Sequence, residues 1–216
     1  MASKLLHFLF PPKCVLCKRL LNDRETDLCH ECRANAPEFS KSKFRPSFVA
    51  RWTSIWYYKD TVRQSLLRYK FSGKRHYAAA YGRLLAMKLQ TSELCDFDVL
   101  TWVPVGTLRR LRRGYDQGML LAQAVAQELN VQPVPLLKKI RNTPPQSGIP
   151  DAPRRRANVL NAYIALNTDC FQGKRVLLLD DVLTTGATAS ECARILLTAG
   201  AKEVTFASVA VAAHSK

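Results

Sequence analysis

Apolar positions change their spacing along the chain, and the changes divide it. Up to residue 36 no run sustains a helical or a strand period, and cysteines are concentrated there instead. Such a stretch predicts a small module held by something other than a core of its own. Residues 37–50, with lysine, serine and proline, read as a linker. Residues 52–58 (WTSIWYY) carry the aromatic and β-branched side chains of a strand. Residues 61–71 (TVRQSLLRYKF) space Val62, Leu66, Leu67 and Tyr69 near a helical period and stop at Ser72-Gly73. Residues 77–89 read as a second helix, with Leu84, Leu85 and Leu89 on one side. These three elements are expected to cap the domain that follows.

From residue 97 the periods alternate. Residues 99–105, 132–137, 161–166, 175–179 and 203–211 read as strands, and residues 117–129 and 187–198 as helices. This alternation predicts an α/β fold with a parallel-rich sheet and helices on both faces. The expected organisation is a module over 1–36, a linker over 37–50 and one α/β domain over 51–216. Residues 141–158 (RNTPPQSGIPDAPRRRAN) are too many for an ordinary connection and read as a lid or binding segment. No uninterrupted apolar run reaches the ~18 residues of a bilayer span, so a soluble chain is expected. The apolar stretch after Lys4 is short, holds His7 and ends in Pro11-Pro12. It reads as a packed N-terminal turn, not as a secretion signal.

Charge narrows the partners. The 33 Lys and Arg against 17 Asp and Glu give +16, a field that draws polyanions such as nucleic acid, nucleotides or phosphorylated sugars. A solubilising surface is the plain alternative. The clusters at 109–113 and 154–156 fall in expected loops and favour the polyanion.

The segment 176–188 (VLLLDDVLTTGAT) carries the most specific chemistry. Its apolar run is a buried strand, and Asp180 and Asp181 stand at the carboxyl end, where open α/β sheets bind ligands. Burying two carboxylates is costly unless they accept hydrogen bonds or face a cation. Vicinal ribose hydroxyls with magnesium nearby would satisfy them. Thr184, Thr185, Gly186, Ala187 and Thr188 then turn into a helix whose free N–H groups and dipole suit a monophosphate. The segment has no Walker lysine after the glycine and no GxGxxG. It resembles the signature of the type I phosphoribosyltransferases. The resemblance implies that Asp180 and Asp181, the catalytic pair, contact the ribose hydroxyls of phosphoribosyl pyrophosphate, and that Thr184, Thr185, Gly186, Ala187 and Thr188 bind its 5-phosphate.

A second phosphate region follows the strand that ends in Val103-Pro104-Val105. Val105, Gly106, Arg109, Arg112 and Arg113 stand at the same expected sheet edge, and guanidinium donors suit a leaving pyrophosphate. From charge alone, a solvated basic helix start is as good a reading. The wider set of words resembles the ComF family. These words are WVPV, then Arg113, Gly114, Tyr115 and Gln117, then Thr143, Gln146, Arg155 and Asn158, then the phosphoribosyl segment. The resemblance covers most of the chain. It implies a pyrophosphate loop at 105–113 and magnesium with phosphoribosyl pyrophosphate. It also implies a flexible loop whose cations, Arg154 and Arg155 with Lys138 and Lys139, close on the ligand.

Cys14, Cys17, Cys29 and Cys32 form two CxxC knuckles, the pattern of a zinc ribbon whose four thiolates leave no open coordination position. Paired disulfides would require an exported chain. His30 is read as a bystander. Cys95, Cys170 and Cys192 read as buried hydrophobes, and His7, His76 and His214 have no partner motif.

Three functions share this site. The ComF resemblance implies a cytoplasmic protein of natural transformation that handles incoming single-stranded DNA beside other DNA-uptake proteins. Trp52, Trp56, Tyr57 and Tyr58 would supply stacking groups if exposed, although clustered strand aromatics usually pack inside. The second function is an active phosphoribosyltransferase with an unknown acceptor. The third is a sensor whose DNA binding responds to the phosphoribosyl ligand.

Overall fold

In chain order the strands are β1 (Arg51–Tyr57), β2 (Val99–Trp102), β3 (Leu137–Lys139), β4 (Tyr163–Ala165), β5 (Arg175–Leu183) and β6 (Glu203–Val211). The helices are α1 (His30–Asn35), α2 (Asp60–Phe71), α3 (Tyr77–Thr91), α4 (Thr107–Arg113), α5 (Gln117–Glu128), α6 (Ala152–Val159) and α7 (Ala187–Thr198). The computed structural model describes residues 11–40, 42, 44–143 and 152–212. The expected N-terminal turn, His7, Gln146 and His214 lie outside them.

The main sheet is parallel throughout, in the order β1-β6-β5-β2. Side chains of β5 divide by parity, as a strand covered on both faces requires. Leu177 and Leu179 enter one core, and Val176 and Leu178 enter the other. The first core lies under α2, α3 and α5, and the second under α7 and the β3-β4 pair. Helices α3 and α5 meet backbone to backbone at Gly82, where a Cβ would lie 2.4 Å from the Cβ of Ala124.

Several elements differ from the sequence reading. Residues 52–58, 61–71 and 77–89 do not cap the domain. β1 is an edge strand of the sheet, paired with β6, and Val62, Leu66 and Tyr81 belong to the core beneath it. β5 does not stop at Leu179, because β6 continues beside it and pairs Asp180 with Ser208 and Leu183 with Val211. The acids therefore lie within a strand. β2 is shorter than 99–105. Pro133 makes only a bridge to Leu100, and the third strand begins at Leu137. Residues 163–165 pair antiparallel with β3, outside the main sheet. The clusters at 109–113 and 154–156 lie on helices α4 and α6, not in loops.

The aromatics of β1 are used internally. Trp56 is buried, with its ring 6.4 Å from that of Tyr81, and Trp52 packs on Phe39 at 4.8 Å. Phe39, Phe44 and Ala50 of the expected linker lie against the strands of the sheet. The Phe39 N–H donates to the Ile55 carbonyl, and the Trp52 indole donates to the Phe44 carbonyl at 3.0 Å.

The cysteine knuckle is docked into the first core. Val15 and Leu16, between Cys14 and Cys17, are each 1% exposed, a burial that contributes about 1.5–3 kcal/mol per side chain. Helix α2 receives their carbonyls: Ser65 Oγ donates to Val15 O and Arg68 donates to Leu16 O. A serine hydroxyl has one proton, so Tyr81 donates its own to Ser65 across 2.6 Å. Arg83 of α3 forks onto the Asp27 carboxylate, with Nε–Oδ2 at 2.9 Å.

Candidate functional site

Strand ends and helix starts converge on a cavity of about 550 Å³ at the carboxyl edge of the sheet. β5 supplies Asp180 and Asp181, the turn after it supplies Thr184, and the first turn of α7 supplies Thr188. The segment after β2 supplies Val105, and α4 supplies Arg109, Arg112 and Arg113. The two phosphate regions read from sequence therefore face one space. Thr185, Gly186, Ala187 and Gly106 are not in its lining.

Helix α7 starts at Gly186, which has φ +75° and offers no side-chain cap, so the first N–H groups keep their hydrogen-bonding capacity toward a ligand. The glycine is required for a further reason. A Cβ there would sit 2.8 Å from Phe44 Cζ and 3.3 Å from Pro46 Cβ, because residues 44–46 lie over the turn.

Lys70 of α2 stands against the acids, with Nζ 2.8 Å from Asp181 Oδ1. Asp181 is buried, and its other oxygen, Oδ2, has no donor among the described residues. Asp180 accepts the Asp181 N–H at 2.8 Å. Burial, and then the Asp181 charge, push the Asp180 carboxyl up to about 8. The lining holds five basic side chains, Lys70, Arg109, Arg112, Arg113 and Lys139, against these two carboxylates. The surplus suits an anionic ligand that also carries hydroxyl donors.

Asp116 ties together the segment after β2 and the start of α5. As the cap of α5 it accepts from Met119 N at 3.0 Å and Val105 N at 3.2 Å, which ties the end of the VPV segment to the helix start. Tyr115 donates to the Tyr69 carbonyl, and Tyr69 donates to the Gln117 carbonyl at 2.7 Å. Gln117 is buried in the cavity wall, and its Oε1 has no donor among the described residues. Arg109 is braced by the Thr143 carbonyl at 2.8 Å. The Arg113 guanidinium lies over the Phe71 ring at 4.9 Å.

Of the four loop cations considered from sequence, Lys139 lines the cavity, and Lys138, Arg154 and Arg155 do not. Lys139 Nζ lies 5.2 Å from the Tyr163 ring, and burial followed by the Arg109 charge pushes it down to about 8. Sequence reasoning missed Lys70, Asp116 and Tyr163 as parts of the site. Asp116 was visible as an acid before a helical period, the signal of an N-cap.

The sulfurs of Cys14, Cys17, Cys29 and Cys32 lie within 4.8 Å of one another, with Cys17 and Cys29 at 3.6 Å. A tetrahedral zinc with bonds of ~2.3 Å separates its sulfurs by about 3.8 Å, so the cluster fits structural zinc. His30 is outside it and gives its backbone N–H to Glu25. Cys192 is buried, as read, but Cys95 and Cys170 are exposed.

For magnesium, the donors differ. Among the described residues the four cysteines are the one group of three or more potential ligands. The acid pair is already engaged by Lys70 and a backbone N–H. The residues fit a magnesium ion carried in on a pyrophosphate, a common mode for this cation, and not a preformed protein cage.

A phosphoribosyl transferase domain family matches residues 116–216, and a double zinc ribbon domain family matches residues 5–43. The latter span holds four cysteines, enough for one zinc site. Competence protein F of Haemophilus influenzae is 27% identical over 89% of this chain and 93% of that protein. DNA utilization protein YhgH of Escherichia coli O157:H7 is 30% identical over 88% of this chain and 86% of its own length. Competence protein ComFC of Bacillus subtilis is 26% identical over 80% of this chain and 67% of that protein.

Proposed function

Because the chain belongs to the ComF family, phosphoribosyltransferase-like proteins of competence and DNA utilisation, we propose that its cavity binds phosphoribosyl pyrophosphate in the service of DNA uptake. The observation that carries this reading is the single cavity shared by the acid pair, the threonine turn and the arginine helix. The ribose hydroxyls donate to Asp181 Oδ2 and Asp180. The 5-phosphate takes the N–H groups and hydroxyls of Thr184, Thr185, Gly186, Ala187 and Thr188. The pyrophosphate lies toward Arg109, Arg112 and Arg113, with Val105 and Gly106 shaping its turn, and brings magnesium with it. Arg154 and Arg155 on α6 are the remaining cations of this reading. When bound, magnesium neutralises charge on the pyrophosphate oxygens.

The relatives named for competence and DNA utilisation support a role in DNA uptake. The chain works in the cytoplasm on incoming single-stranded DNA beside other uptake proteins. A +16 charge and the basic helix α4 supply the electrostatic attraction. The chain has no helix long and apolar enough to cross a membrane among its described residues. A working phosphoribosyltransferase is the second reading. The wall formed by Tyr58, Leu67 and Phe71 beyond the acids favours it, because it leaves a partly apolar surface for an acceptor.

Calorimetric titration with magnesium and phosphoribosyl pyrophosphate, with and without single-stranded DNA, tests the reading. Binding by the wild type and its loss in Asp180→Ala/Asp181→Ala are expected. A wild type that binds no phosphoribosyl pyrophosphate refutes it. Pyrophosphate release on adding nucleobases separates enzyme from binding protein.

A further inference from the structure

Lys70 lies outside the span that the phosphoribosyl transferase family matches, on a helix contributed by the segment before it. Its ammonium nevertheless reaches the acid pair, 2.8 Å from Asp181 Oδ1, and the side chains are 19% and 5% exposed. Removing two charges from water to this degree is costly, so an ion pair in a ligand cavity needs a reason. The pair occupies only one edge of the carboxylate and leaves Oδ2 buried without a donor.

Helix α2 is fixed at both ends of this arrangement. Ser65 and Arg68 hold the carbonyls of the cysteine knuckle, and Tyr69 donates to Gln117. Lys70 is thus carried on a braced helix. With Lys70 paired to Asp181 the ribose end already contains its own cation, and its remaining acceptor is placed for a hydroxyl.

We infer that Lys70 is a resident counter-ion of the ribose subsite, a positioning residue that lets a pentose 5-phosphate bind there without a divalent cation. Magnesium is then needed for the pyrophosphate alone. The inference rests on the phosphoribosyl reading of the cavity. It predicts that the two ends of the ligand differ in their metal requirement.

The test is titration of the zinc-loaded full chain with ribose 5-phosphate, in buffer freed of other divalent ions and again with magnesium. Phosphoribosyl pyrophosphate with magnesium is run in parallel. Loss of a charge-assisted interaction is worth about tenfold or more in affinity. Wild type and Lys70→Arg are expected to bind ribose 5-phosphate alike with or without magnesium. Lys70→Gln and Lys70→Met are expected to bind it about tenfold more weakly without magnesium and to recover when it is added. The contrast between Arg and Gln carries the test if the methionine variant fails to fold. Magnesium-dependent binding by the wild type would overturn the inference, as would unchanged or tighter binding by Lys70→Gln, the mark of a lysine that merely plugs the site. If the wild type binds neither ligand, the phosphoribosyl reading itself fails and the inference falls with it.

Discussion

The Phe44 ring and Gly186 occupy adjoining space: a Cβ on Gly186 would lie 2.8 Å from Phe44 Cζ, at a residue with φ +75°. Phe44 and Pro46, which precede β1, therefore shape the turn that opens α7. Gly186→Ala is expected to lose stability through two separable effects. The left-handed conformation alone costs about 1–2 kcal/mol, and the clash adds to it. In a denaturant double-mutant cycle, Phe44→Ala should recover part of the Gly186→Ala loss, a coupling of about 0.5 kcal/mol or more. Strict additivity would show that the ring does not constrain the turn.

The cysteine module should be integral to stability. Cys29→Ser is expected to reduce zinc below one ion per chain. If it forfeits at least ~3 kcal/mol of the zinc contribution, the thermal midpoint of a chain this size falls by roughly 6–12 °C. Metal analysis alongside calorimetry checks both. An unchanged midpoint in a zinc-free protein would contradict the docking of Val15 and Leu16 as a stabilising contact.

Two half-buried charges predict a pH profile for the ligand-free protein. Asp180 is pushed up to about 8, by burial first and the Asp181 charge second. Between the unfolded value near 4 and about 8, the folded state holds a proton that the unfolded chain has released. Stability from this group is therefore full at low pH and is lost as pH rises through 8. Lys139 is pushed down to about 8, by burial first and Arg109 second. From about 8 to the unfolded value near 10 the sign reverses, and stability rises with pH. Urea unfolding across this range should show Asp180→Asn losing the falling limb. Parallel profiles for wild type and variant would contradict the assignment.

Much of this architecture was legible wherever the information is local. The strand start and the helix that follows it within 176–188 are legible because they are contiguous, and the cysteine cluster because two CxxC knuckles set its spacing. Lys70 was not legible. It faces Asp181 only because β1 pairs with β6, at a sequence separation no local period encodes. The same pairing made three elements look like a cap. An acid pair suggests a strand end at Leu179, whereas pairing with Ser208, Ala210 and Val211 carries β5 on to Leu183. The charges of helix α4 dominate its pattern and make it read as a loop, and its apolar residues Leu108 and Leu111 are exposed.

Helix α4 offers a test of the nucleic-acid role. Arg110 and Arg112 are exposed there beside Leu108 and Leu111. If both contact phosphates, Arg110→Ala/Arg112→Ala should reduce the slope of log affinity for single-stranded DNA against log salt by about 1.4. An unchanged slope would move the DNA to another surface.

The most direct measurement is a crystal structure of the protein with magnesium and phosphoribosyl pyrophosphate bound. The 5-phosphate should lie on the turn from Thr184 to Thr188, a ribose hydroxyl within hydrogen-bonding distance of Asp181 Oδ2, and the pyrophosphate toward Arg109 and Arg112. A ligand bound outside this cavity, or one whose pyrophosphate occupies the threonine turn, would contradict the account.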